Sequence, residues 1–229
     1  MIKERSPADP AVYTDPGQTF TLPFPAVGIF PEDRFTFEEG NFTYFGRERF
    51  TELWKSVIQL EKRWGQLFFY GTAGYGKSHI LAALACLLVS QGKRVVFLPH
   101  CRAMSRDFVD YITEALLLAF GDSPKHQEQI VELQKEEDIK LFLKRYAKSE
   151  GKLYFIVDQL NALEVAKEDR DQTSNTTKEH ISEWLNAFTG AHCRVQSASP
   201  NYQTFHYLQK RQTNDCKIAA LGGFSKVSI

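Results

Sequence analysis

The chain has 229 residues, 43% of them hydrophobic and 24% charged, with 28 Lys+Arg against 28 Asp+Glu. This length and composition suit one full domain with a buried core, and they exclude global disorder and a disulfide-stapled miniprotein. The zero net charge gives no support to generic coating of a polyanion, so nucleic-acid binding would need a local basic patch.

Residues 1–40 hold six of the nine prolines, at 7, 10, 16, 23, 25 and 31. Proline fixes φ and removes a donor, so this stretch is expected to be an irregular arm. Its aromatics (Tyr13, Phe20, Phe24, Phe30, Phe35, Phe37) are too many for a solvated linker, and the arm is expected to drape over the domain. Residues 41–229 form the domain itself. The N-terminus MIKERSPADP lacks an apolar core and does not read as a secretory signal. The longest apolar run, Ile80 to Val89, is too short to span a bilayer. The expectation is a soluble intracellular protein with no membrane partner. Cys86, Cys101, Cys193 and Cys216 are scattered without zinc spacing and read as reduced thiols, Cys86 as a buried one.

From Phe50 to Trp64 the apolar positions follow a helical period, and LFFY (67–70) then reads as a short buried strand. Residues 77–91 predict an Ala/Leu-rich helix, and RVVFL (94–98) a second buried strand. Helix is expected over 105–120 and over the charged stretch 125–149. LYFIVD (153–158) is a third buried strand, 167–180 a polar loop, and Ile181 to Phe188 a helix. CRVQSAS (193–199) and CKIAAL (216–221) are further strands. Buried strands alternating with helices predict an α/β fold: a three-layer αβα sandwich with a mostly parallel central sheet of about five strands.

Gly71-Thr72-Ala73-Gly74-Tyr75-Gly76-Lys77-Ser78 fits G-x-x-x-x-G-K-[ST] in full, between an apolar strand and a helix. The glycines let the backbone form a concave nest whose N–H groups face phosphates, together with the helix N-terminus. Lys77 brings a point charge to the β- and γ-phosphates, and the Ser78 hydroxyl is a ligand for Mg²⁺. Tyr75 is bulky for such a loop and is expected to stand outward. His79 completes the nucleotide-binding set.

A P-loop needs a second acidic residue for the metal. Asp158 closes an apolar strand, as a Walker B carboxylate does, and is assigned to Mg²⁺ with Ser78. Gln159 follows where many such ATPases carry Glu. An amide orients water but is no effective base, so slow hydrolysis is expected, with Glu164 the nearest acid. After the next strand, Ser197, Ser199 and Asn201 are candidates to contact the γ-phosphate or its water. Phe45-Gly46-Arg47-Glu48 looks like the "GRE" box ahead of the P-loop in signal-transduction and AAA-like NTPases. That resemblance implies that Arg47 and its neighbours help hold the base. No guanine-reading Asn-Lys-x-Asp is present, which favours ATP over GTP.

The segments GTAGYGKSHILAALACLL, GKRVVFLPHCR, LYFIVDQLNALE, SASPNY and LGGFS resemble the NTPase module of Crinkler-type effector proteins of fungi and oomycetes. The likeness covers residues 40–224, and IVDQLNALE and SASPNY are its least generic pieces. It implies a P-loop NTPase that is delivered to a host cell, often to its nucleus. In that family a nuclease domain commonly follows. This sequence stops at Ile229, so the helical lid and the nuclease domain are expected to be missing, and nuclease activity is not carried over.

Three functions remain open on the sequence. One is an Mg²⁺-dependent ATPase acting as a switch or regulatory module, on its own, with a protein partner or as a homo-oligomer. The second is a helicase-loader-like ATPase on nucleic acid, which GYGKSHILAAL resembles and Gln159 disfavours. The third is a nucleotide-binding interaction module without turnover.

Overall fold

The computed structural model describes residues 2–28, 30–62, 65–165, 173–198 and 216–220. The N-terminal stretch is more regular than its prolines suggest. After a single helical turn, α1 (Ile2–Arg5), come β1 (Thr19–Pro23), β2 (Phe37–Glu38) and β3 (Asn41–Phe45). They form an antiparallel sheet in the order β1-β3-β2. The β2–β3 turn has left-handed Glu39 (φ 48°) and Gly40 (φ 74°), the backbone a tight hairpin demands. The division expected at 40/41 falls inside this hairpin. Prolines tolerate this arrangement because Pro23 ends its strand. The aromatics drive it. Phe24, Phe35, Phe42 and Tyr44 join one core cluster, and Phe24 makes edge contacts with Phe35 and Phe37 at 5.1 and 5.0 Å.

Helix α2 (Arg49–Lys62) buries Phe50, Leu53, Val57 and Leu60 along one stripe. Strand β4 (Gln66–Tyr70) leads through the P-loop into α3 (Lys77–Ser90). Every residue of α3 from Ile80 to Leu88 is buried. A helix apolar all round must be covered on all sides, and α3 packs between the parallel sheet and the N-terminal sheet. Next come β5 (Val95–Leu98), a 3-10 turn at Cys101–Ser105, and α4 (Phe108–Ala119). Asp107 caps α4 by accepting from the Asp110 amide at 3.1 Å.

The charged stretch 125–149 is two helices rather than one, α5 (Pro124–Val131) and α6 (Glu136–Ser149). Glu136, Glu137 and Asp138 crowd the first turn of α6, where the positive end of the helix dipole favours a fresh start. Strand β6 (Tyr154–Val157) follows. Helix α7 (Asn175–Thr189) begins six residues ahead of the expected Ile181, because Ser174 caps it by accepting from the Thr177 amide at 3.2 Å. Strands β7 (Cys193–Ala198) and β8 (Cys216–Ala219) complete the fold.

The five later strands form one parallel sheet in the order β5-β6-β7-β4-β8. Alternate residues face opposite ways. Val95 and Phe97 join the cluster with α2 and α3, whereas Val96 and Leu98 join the one with α4 to α7. Helices therefore cover both faces, and the fold is a three-layer α/β arrangement with a five-stranded parallel sheet, as expected. Cys86, Cys101 and Cys193 are buried free thiols. Among the described residues no helix is long and apolar enough to cross a membrane.

His192, just before β7, shows how tightly the second face is packed. Its Nδ1 accepts from the Leu153 amide at 3.1 Å, and burial pushes its pKa down to about 4. The folded chain holds this ring neutral, whereas the unfolded chain takes up a proton as pH falls through the ordinary histidine value of 6.5. Stability from this group is complete above about pH 6.5 and is lost as pH falls towards 4. Going from pH 7 to pH 5 is expected to cost about 2 kcal/mol through this residue. Urea midpoints at the two pH values, beside His192→Asn, check it: the substitution removes that share of the acid sensitivity.

Candidate functional site

The carboxyl ends of the parallel strands open onto a cleft of about 590 Å³. Ala73, Gly74, Gly76, Lys77 and Ser78 of the loop after β4 line it, with Asp158, Gln159 and Ser197 from the ends of β6 and β7. Ligands of open parallel sheets collect at these ends. The loop is built by its glycines. Gly76 sits at φ 69°, and a Cβ there would come within 2.3 Å of the Arg47 guanidinium. Gly71 passes so close to the chain after β8 that a Cβ would lie 2.4 Å from the Ala220 carbonyl oxygen. The backbone oxygen beside Gly71 excludes a larger residue there, and at Gly76 the left-handed φ is what favours glycine.

Lys77 is buried at the start of α3, and its ammonium donates to the carbonyls of Gly71 (2.9 Å) and Thr72 (2.7 Å). Burial lowers its pKa, while the Asp158 carboxylate works the other way. The ammonium thus rests on the loop that would wrap the phosphates, and carbonyl contacts are ones it can exchange for phosphate oxygens.

Asp158 is 2% exposed and fully used. Its Oδ1 accepts from the Ser197 hydroxyl and from the Gln159 amide at 2.9 Å, and its Oδ2 from Arg34 Nη1 at 2.7 Å. The Asp158 amide itself donates to the Leu98 carbonyl at 2.9 Å. Arg34 Nη1 also donates to Ser78 Oγ at 3.2 Å. One cationic nitrogen thus touches both oxygens assigned to Mg²⁺, and a hydroxyl plus a carboxylate is a hard oxygen pair suited to that ion. Ser78 and Asp158 are therefore the residues that would hold it.

Arg47 lines the cleft and donates to the Tyr75 carbonyl at 3.3 Å, with its backbone fixed to the Tyr13 carbonyl at 2.9 Å. Burial lowers its pKa. The Tyr75 side chain is outside the cleft lining, as is Thr72. His79 lines the cleft with its ring stacked on Phe35 at 4.3 Å, and burial pushes its pKa down to about 4. Gln159 adopts a left-handed conformation (φ 60°), unusual for a non-glycine residue and found at strained functional positions. Its Oε1 lies 3.1 Å from His100 Nδ1. Glu164 follows the 3-10 turn Leu160–Leu163 and is not among the residues lining the cleft. Ser199 and Asn201 lie outside the described residues.

Sequence reasoning missed Arg34 and His100 as site residues. Phe45 lines the cleft with 47% of its surface exposed, an aromatic face left open beside Arg47 and His79. Its place in the FGRE box was the available signal. Arg34 offered none, because it meets Asp158 from 124 residues away in sequence.

A phosphate-cradling glycine loop, a lysine within it and a serine–aspartate pair at parallel strand ends define the class: this is a P-loop NTPase. The NACHT domain matches over residues 66–229, and the chain belongs to that family. It is a family of nucleotide-binding and nucleotide-hydrolysing domains. No curated protein matches the chain. Among solved structures, a DNA replication initiation factor is similar at a TM-score of 0.37 and 16% identity, over 74% of this chain and 45% of its own. AMPPCP-bound DnaA from Aquifex aeolicus is similar at 0.38 and 14%, over 74% and 45%. The DnaC helicase loader is similar at 0.33 and 14%, over 69% and 76%. The chain spans less than half the length of the first two.

Proposed function

We propose that this chain is an Mg²⁺-dependent ATP-binding switch with slow turnover. The observation that carries the reading is the meeting of Lys77, Ser78, Asp158 and Ser197 in one cleft. Loop amides and Lys77 bind the phosphates, and Ser197 fixes the Asp158 carboxylate. Mg²⁺, held by Ser78 and Asp158, would neutralise charge on the β- and γ-phosphate oxygens. Phe45, Arg47 and His79 surround the place left for the base. Slow turnover follows from Gln159: its amide accepts no proton, and it leans on His100, whose pKa burial lowers. The likeness of IVDQLNALE and SASPNY to Crinkler-type effectors supports a regulatory role in such an effector, delivered to a host cell and its nucleus; the distribution of the tagged chain in host cells tests that part.

Phosphate release from ATP in Mg²⁺ and in EDTA, with calorimetric binding of ATP and GTP, tests the biochemical reading. Slow, Mg²⁺-dependent release and tighter ATP than GTP binding are expected. ATP binding without release would make the chain a non-hydrolysing module, and absence of binding would end the reading. The helicase-loader alternative requires single-stranded DNA to stimulate release.

A further inference from the structure

The oxygens that would hold Mg²⁺ are already occupied by a cation from the same chain. Arg34 lies between β1 and β2, and its side chain is only 14% exposed. Nη1 bridges Asp158 Oδ2 (2.7 Å) and Ser78 Oγ (3.2 Å), while Nη2 donates to the Pro99 carbonyl at the end of β5 (2.9 Å). One guanidinium thus ties together the ends of two sheet strands and the start of α3.

The physical reason lies in Asp158. A carboxylate 2% exposed is costly without a counter-charge. Lys77 is engaged by loop carbonyls, so Arg34 is the cation in direct contact. Its backbone is fixed: the amides of Arg34 and Phe35 both donate to the Pro31 carbonyl at 3.0 and 3.1 Å. Phe35 is buried against His79, the neighbour of Ser78. The guanidinium therefore reaches the site from a rigid base and leaves it by rotating its own side chain. Mg²⁺ on Ser78 Oγ and a guanidinium on the same oxygen would bring two like charges together, so the two compete for the site.

We propose that Arg34 is a tethered counter-cation that closes the metal site in the nucleotide-free protein and is expelled by Mg²⁺ together with nucleotide. The inference rests on the nucleotide reading of the cleft. It makes metal affinity a competition: a plug in place nine-tenths of the time weakens apparent metal binding about tenfold.

The test titrates Mn²⁺ into ADP-loaded wild type, Arg34→Gln and Arg34→Lys, counting free metal by electron paramagnetic resonance, with ADP affinity measured in EDTA. Arg34→Gln is expected to bind Mn²⁺ roughly tenfold more tightly, with metal-free ADP affinity within about twofold and Arg34→Lys in between. Equal or weaker Mn²⁺ binding by Arg34→Gln overturns the inference and makes Arg34 a phosphate ligand instead. Because that variant leaves a buried carboxylate uncompensated, wild type supplies an independent readout. Phenylglyoxal modification, mapped by mass spectrometry, should reach Arg34 several-fold faster with ADP and Mg²⁺ than with ADP in EDTA. Unchanged protection overturns the inference even if Arg34→Gln does not fold. If ADP fails to bind, the nucleotide reading falls, and the Mn²⁺ titration of nucleotide-free protein still decides whether Arg34 competes with metal.

Discussion

Lys77→Ala is expected to weaken ATP binding on the order of 100-fold while leaving the fold intact. A hydrogen bond to a charged group contributes about 1.5–3 kcal/mol, and an ammonium bridging two phosphates makes two of them, about 3 kcal/mol at the lower end of that range. The substitution also takes the lysine's hydrogen bond from the buried Gly71 carbonyl, a loss of about 1 kcal/mol in stability. The ammonium gives up the carbonyls of Gly71 and Thr72, and Thr72 is exposed, so water replaces the lysine there. Calorimetry with ATP, beside thermal unfolding of both proteins, separates the two effects. Affinity within about threefold of wild type would refute the role given to Lys77, since that is less than one such bond.

Asp158→Ala is expected to act in the opposite pattern, sparing metal-free ATP binding and removing Mg²⁺-dependent phosphate release by on the order of 10²–10³-fold. The carboxylate accepts three hydrogen bonds, from Ser197, Gln159 and Arg34, and its loss leaves the Arg34 guanidinium only the exposed Asp33 carboxylate, 3.5 Å from its Nε. Breaking a buried pair by removing one partner costs about 3–5 kcal/mol, so the variant should also unfold at clearly lower urea. Measuring release well below that urea concentration keeps the two losses apart. Release unchanged in Asp158→Ala would exclude this carboxylate from holding the metal.

Much of this site was legible in the residues themselves. The P-loop is a local device: its glycines, lysine and serine are close in sequence, and the adjoining strand and helix are apolar runs of their own. Asp158 was legible for a similar reason, as an acid closing an apolar strand. The split between α5 and α6 and the early start of α7 were not, because a few residues at each boundary decide them: Glu136 to Asp138 at a helix start, and the Ser174 hydroxyl. The N-terminal stretch misled by its prolines. What orders it is aromatic burial against α3 and β5, a gain that exists only once those elements are there to receive Phe24, Phe35 and Phe42.

The sequence alone determined the class of chemistry, because phosphate binding by a P-loop depends on backbone freedom and charge within one short segment. It also determined the parallel α/β fold, because β4, β5 and β6 read as apolar runs alternating with helices. The tertiary structure decided the state of the site. Only packing puts β7 between β4 and β6, so that the Ser197 hydroxyl reaches Asp158. Only the docking of the N-terminal sheet brings Arg34 onto Ser78 Oγ and Asp158 Oδ2. The reason is that a buried carboxylate selects its counter-charge by distance in space, and distance along the chain carries no trace of that choice.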